Sequence, residues 1–344
     1  MIRFHLMLAG MLLCSIASAQ EKQPPLPLFS HDSVLHLRIE ADWKTLLRTK
    51  NLSSPDELPA VLVHRAGTDT MRAPIQIRVR GNYRRTHCPM PPLRMRFDTA
   101  VPYSPLFAGL EKVKLVLPCE PDKPVFQQYL VEEYLLYRMF RILTDSSFRV
   151  RLLSIDYVDP SGRMKPFSHL GFCIEPEDAL ARRLGMFKVE KEGVHGEDTE
   201  RRYATLMYVF QYLIGNTDWS VPGLHNIAVL QGGLFGQPIA VPYDFDWSGI
   251  IDAPYALPNE QLNIGTVRQR LYRGYCREEA ELQQAFDVFR QHKAELFELY
   301  RSTPQLKPER AEQAVRYLEQ FYELIDNPKQ VEREFIRNCR RRGS

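Results

Sequence analysis

Asp218 and Asn226 share one short segment, IGNTDWSVPGLHN (214–226), and Asp244 and Asp246 share another, YDFDW (243–247). Both segments lie between apolar runs, where a carboxylate is costly unless it holds a cation or a proton. Taken in order, the four side chains match the needs of phosphoryl transfer. One carboxylate orients the attacking hydroxyl, while an amide and a second carboxylate hold the divalent cation that neutralises the phosphates. Asp218 fits the first role, and Asn226 and Asp244 the second. Asp246 stands two positions on in an extended stretch, on the same face as Asp244, and reads as a further metal ligand. "NTD" alone would be ordinary turn chemistry, and His225 alone a packed or supporting histidine. Trp219 and Trp247 read as packing around the loops. No G-x-S-x-G elbow supports an esterase, and no C-x-x-C or H-x-x-x-H spacing supports a structural zinc site.

The elements that must position these residues are legible from periodicity. RYATLMYVFQYLIG repeats apolar residues at i, i+3 and i+4, the pattern of a buried helix leading into the Asp218 loop. NIAVLQGGLFGQPIAVPYD reads as a hairpin that delivers Asp244. Upstream, SVLHLRIE, PAVLVHR, APIQIRVRGN, PPLRMRF and KVKLVL alternate as half-buried strands, so the first third is mostly antiparallel β. ADWKTLLRT is a short helix with Asp42 as its cap. KPVFQQYLVEEYLLYRMFRIL is one long helix with Pro124 in its first turn and Glu132 and Glu133 in its middle. FRVRLLSIDYVD and FSHLGFCIE follow as strands. NEQLNIGTVRQRLY, EEAELQQAFDVFRQHKAELFELY, PERAEQAVRYLEQFYELI and PKQVEREFIRNC read as four amphipathic helices.

These segments, with VRGN (79–82), the basic strand PPLRMRF and the connection HLGFCIE, resemble the CotH family of secreted atypical protein kinases and, more distantly, the HipA-type kinases. The resemblance spans roughly residues 78–249. It implies an α+β, bilobal protein-kinase-like fold, with a β-rich N-terminal lobe over 20–170 and a hinge and helical C-terminal lobe over 171–344. It implies transfer of the ATP γ-phosphate to Ser or Thr hydroxyls of a protein substrate with Mg2+ or Mn2+. Asp218 would be catalytic, Asn226, Asp244 and Asp246 metal-binding, and Glu175 close to the adenine. Two departures stand out. The Asp218–Asn226 spacing exceeds that of the HipA-type loop, and no lysine is evident to grip the phosphates. Arg94, Arg96 and Lys114 are the candidates for that grip, with Glu132 or Glu133 as ion-pair partner, and Arg80 beside Gly81 for phosphate contact. Arginine keeps the charge but changes reach and geometry. The alternative reading is a catalytically degenerate kinase fold serving as a binding or envelope-assembly module.

Composition limits the partners. With 45 basic and 42 acidic residues the formal charge is +3, which demands no nucleic acid, and the helix aromatics form no stacking array. Arg84, Arg85 and the tail RNCRRRGS read as solvated. MIRFHLMLAGMLLCSIASAQ reads as a secretory signal with an Ala17-Ser18-Ala19 cleavage site, giving residues 1–19 as the leader and an exported protein of the periplasm, cell surface or medium. No later run is long and apolar enough to span a membrane. Export permits disulfides. Cys88 and Cys119 are the best pair, Cys173 a packed thiol, and Cys276 and Cys339 either paired or free.

Overall fold

Seven strands whose apolar residues alternate inward close on themselves. They are β1 (Leu35–Ala41), β2 (Leu58–Ala66), β3 (Asp69–Val79), β4 (Leu93–Phe97), β5 (Lys112–Val116), β6 (Val150–Val158) and β7 (Phe167–Ile174). The structure, a computed structural model, describes residues 21–52, 54–98, 104–233 and 235–342; the expected leader, residues 1–19, lies outside them. Strand order is β1-β2-β3-β4-β5-β7-β6, and the ring is sealed by β1 on β6. That seam is parallel, with Leu35 opposite Leu153 and Glu40 opposite Val158, whereas every other pair in the ring is antiparallel. Ile39, Leu62, Ile77, Met95, Leu115 and Ile155 are among the side chains that fill the interior, as expected for a barrel of this size.

This architecture corrects the bilobal protein-kinase-like expectation. The β-rich half is a closed, mixed seven-stranded barrel with helices against it, not an open sheet lobe. The alternating pattern reports which face of a strand is buried, but it says nothing about which strands share an edge. β7 pairs with both β5 and β6, so the barrel reaches Ile174, past residue 170, and HLGFCIE is a barrel strand.

Outside the ring, α1 (Trp43–Arg48) is capped by Asp42, which accepts from the Thr45 amide. A second short helix, α2 (Tyr83–His87), follows β3. The long α3 (Pro124–Leu143) is buried along much of its length and belongs to a second apolar core. That core continues through α4 (Glu177–Leu184), α5 (Arg201–Ile214), α6 (Glu279–Arg301) and α7 (Pro308–Ile325). It also takes in an antiparallel sheet of β8 (Phe187–Val189), β9 (Ile227–Gln231) and β10 (Pro238–Pro242), with β9 central. The segment NEQLNIGTVRQRLY is not the expected helix. Only Glu260–Leu262 forms a single tight turn, which ends at Asn263 in the left-handed region with φ 49°. The last expected helix shortens to α8 (Pro328–Val331) and a wider turn after it. Disulfides join Cys88 to Cys119 and Cys276 to Cys339, and Cys173 is a buried free thiol. Among the described residues, no helix is long and apolar enough to cross a membrane.

Candidate functional site

Helix α5 sets the first half of the site. Glu200 caps its start, and Gly215 ends it with φ 66°. A Cβ at Gly215 would stand 2.2 Å from the Tyr317 hydroxyl, so both backbone and space require glycine there. The chain then turns into Asn216, which is buried and holds the loop together. Its Oδ1 accepts from the Asp218 amide (3.0 Å), its Nδ2 donates to Gln211 Oε1 (3.0 Å), and its carbonyl accepts from Trp219 Nε1 (3.2 Å). Ser220 and His225 exchange backbone hydrogen bonds of 2.9 and 3.0 Å, which folds the loop back on itself. Both oxygens of Asp218 are thereby met: His225 Nε2 lies 2.8 Å from Oδ1, and Asn226 Nδ2 donates to Oδ2 at 3.0 Å. Asn226 has φ 53°, one of the few non-glycine residues in that region. With its amide nitrogen on Asp218, its amide oxygen is the end available to face a cation. The hydrogen bond to Asp218, helped by the Asp218 and Asp244 charges and opposed by burial, raises the His225 pKa above its usual value.

The second half is set by one phenylalanine. Phe245 is fully buried and packs edge-on against Tyr137 and Phe210, with ring centroids 4.8 and 5.7 Å away. The chain here is past the end of β10 and not extended as expected, since Asp246 lies in a turn; Asp244 and Asp246 nonetheless both line the cleft. Asp244 also sits in the left-handed region (φ 62°), and its amide donates to the Tyr137 hydroxyl at 2.8 Å. Backbone held there in a non-glycine residue is strain that the surroundings must sustain.

A cleft of about 510 Å³ gathers these parts: Asp218, Asn226, Asp244 and Asp246 all line it. Arg80 and Gly81 stand at the end of β3, Pro92 just before β4, and Val116 at the end of β5. Behind Asp246 lies a buried charge cluster. The Arg84 guanidinium is 3.7 Å from Asp246 and 3.6 Å from Glu133 of α3, and it lies over the Tyr255 ring. Burial, reinforced by Asp244 and opposed by Arg84, pushes the Asp246 carboxyl up to about 7. Burial and Asp246 drive Glu133 well above the usual carboxylate range despite Arg84. Burial works against the Arg84 charge, yet Tyr255, Asp246, Glu133 and Asp244 outweigh it and hold the guanidinium protonated.

The residues fit a divalent cation on chemical grounds. Asp246, which lines the cleft, has one buried carboxylate oxygen, Oδ2, with no hydrogen-bond partner among the described residues and only the Arg84 guanidinium at 3.7 Å. A carboxylate oxygen short of hydrogen bonds is what a cation satisfies. Among those residues, no group of three or more His, Cys, Asp or Glu side chains is gathered to hold a metal by itself. An amide oxygen, two carboxylates and the oxygens of a bound phosphate are the usual complement of Mg2+.

The other candidates fall in different places. Arg80 lines the cleft. Arg94 and Arg96 lie on the outer barrel face, paired with Glu57 at 3.1 and 2.7 Å. Lys114 pairs with Glu177 at 2.9 Å and sits 4.6 Å from the centroid of the Tyr243 ring, whose residue lines the cleft. Glu132 turns to Arg310 of α7, and burial pushes it up to about 8. Glu175 is buried, with Arg183 on both oxygens (2.9 and 3.0 Å) and the Arg149 amide on Oε2 (3.1 Å), so its carboxylate is engaged within the protein. Glu133, rather than Glu132, has an arginine partner at the cleft, and that partner is Arg84. Residue type alone reads Arg84 as solvated; Cys88 four residues on was the available signal. Its disulfide to Cys119, at a Cα separation of 4.8 Å, draws the short α2 inward and carries Arg84 with it.

No protein-family model matches the chain, and neither a curated protein nor a solved structure is significantly similar to it.

Proposed function

We propose that the protein is a phosphotransferase that moves the ATP γ-phosphate to Ser or Thr hydroxyls of a protein substrate, with Mg2+ or Mn2+. The observation that carries this reading is the meeting of Asp218, Asn226, Asp244 and Asp246, from two separate segments, in one cleft rimmed by Arg80. Function resides in such a site rather than in the fold that presents it, so the reading does not depend on the kinase architecture. Asp218, fixed by His225 and Asn226, orients the acceptor hydroxyl and takes its proton as the oxygen attacks the γ-phosphorus. The bond from that phosphorus to the bridging oxygen breaks, and ADP departs. Asn226, Asp244 and Asp246 would hold the cation, whose chemistry is to neutralise charge on the phosphate oxygens. Arg80 offers a further positive contact to the same oxygens. The two disulfides are compatible with an exported protein working in an oxidising compartment.

The test is transfer of radiolabel from γ-labelled ATP by the purified chain. Asp218→Asn should reduce the rate about 10²–10⁴-fold, the usual worth of a positioned base, while ATP with Mg2+ still raises the melting temperature by binding the folded state. Asp244→Ala should abolish that thermal shift. No transfer and no shift with either cation would overturn the reading.

One observation favours a second reading, a degenerate site used for binding. Arg94, Arg96 and Lys114 are engaged with Glu57 and Glu177, and Arg84 is committed to Glu133 and Asp246. Nucleotide binding without transfer would select it.

A further inference from the structure

The outer face of β3, β4 and β5 carries an arrangement that costs stability. In register across the three strands, Arg78 stands opposite Arg94 and Arg94 opposite Lys114; on the next rung, Gln76, Arg96 and Lys112 stand in line. Like charges directly opposite one another in a sheet are destabilising. Glu57 and Glu177 answer only part of this charge, and Glu177 is shared with Lys188. Among the described residues, Arg78 Nε is buried with no hydrogen-bond partner.

The location gives the charge a use. The same three strands run into the cleft, where Arg80, Pro92 and Val116 form its rim. Arg80 lies two residues beyond Arg78, and Lys114 reaches over Tyr243 in the cleft wall. The two basic rungs therefore stand about 7 and 14 Å back from the rim, at the spacing of alternate strand residues. Beyond them the strands pass to the acidic Asp98 and Glu111.

We propose that this basic face docks an acidic stretch of the phosphoacceptor protein, placing carboxylates a few residues from the Ser or Thr held at Asp218. The proposal rests on the phosphotransferase reading for its meaning, but not for its measurement. An extended peptide, at about 3.3 Å per residue, fits two rungs with two or three carboxylates. A duplex nucleic acid, with a charge every ~1.7 Å of its axis, would need a longer basic track.

The test compares labelled peptides in which one serine is flanked by glutamates or by lysines, using fluorescence anisotropy at low and physiological salt and then radiolabel transfer. Phosphatidylglycerol vesicles and single-stranded DNA serve as competitors. The glutamate peptide should bind more tightly than the lysine peptide, weaken with salt, and lose about tenfold in affinity in the Arg78→Glu/Lys112→Glu variant. Arg78→Gln/Lys112→Gln should give a smaller loss, which guards against a folding defect in the double reversal. Equal binding of the two peptides, unchanged binding in both variants, or stronger competition by vesicles or DNA than by unlabelled glutamate peptide would overturn the proposal. Variant-sensitive binding with no transfer upholds the surface and removes the phosphotransferase; transfer without charge preference does the reverse.

Discussion

At the scale of single residues, the cleft combines a part-exposed Asp218 with a buried Asp246 that shares the Arg84 guanidinium with Glu133. Asp246 shows the consequence for pH. An acid whose pKa rises on folding stabilises the folded chain while protonated, fully so below its unfolded pKa, and that contribution is lost as pH rises through the folded value, here about 7. Without a divalent cation, stability should fall from about pH 4 toward pH 7, between the ordinary and the folded value, and level off above it, by at most about 1.4 kcal/mol per pH unit for this group. Asp246→Asn should flatten that fall in thermal melts, and Mg2+ should offset it in the parent chain; a parent profile already flat across this range would contradict the burial argument. Glu132, pushed up to about 8, adds a slope of the same sign that the Asp246 variant leaves in place. That Asp218, Asn226, Asp244 and Asp246 come together in one cleft was legible from their types and order taken together. Arg84 was not: its role comes from burial, which depends on a cysteine partner distant in sequence.

At the scale of elements, two local devices hold the site open. Helix α2 has five residues, too few to persist alone, and the Cys88–Cys119 disulfide anchors it against the segment between β5 and α3. The double variant Cys88→Ser/Cys119→Ser should lose about 2–4 kcal/mol of stability in denaturant titration. Arg84 should loosen with it, weakening nucleotide binding more than Cys276→Ser/Cys339→Ser does. The second device is the stop at Gly215. Gly215→Ala meets both a left-handed backbone and the Tyr317 hydroxyl and should cost about 1–3 kcal/mol, read as a lower urea midpoint. Most strands and helices were legible from periods of 2 and 3.6, and the Asp42 cap from residue type. NEQLNIGTVRQRLY failed because a periodic pattern says nothing about Asn263 adopting a left-handed turn. Arg94, Arg96 and Lys114 were expected to grip phosphates, and the structure pairs them with Glu57 and Glu177 instead; the direction in which their face looks is set by barrel closure, a property of paired strands rather than of any one of them.

At the scale of the whole molecule, a closed barrel and a helical core meet along α3, and the cleft opens where β3, β4 and β5 end. Half the difficulty of reading the fold lay in one contact, the parallel seam between β1 and β6. It joins the first strand of the ring to one that starts only at Val150, after α3 has been made. Long-range pairing of this kind is slow to form, so stopped-flow refolding should show helical signal returning before the fluorescence of Trp43, which packs on Tyr157 of β6; simultaneous recovery would argue against this order. For a chain emerging amino end first, the backbone of β1 waits with one edge unmatched while more than a hundred residues arrive. During that interval the exposed ribbon can capture strands from neighbouring copies. Yield on overexpression should therefore depend on chain concentration and on whatever shields the newborn edge, more than on the strength of the finished barrel.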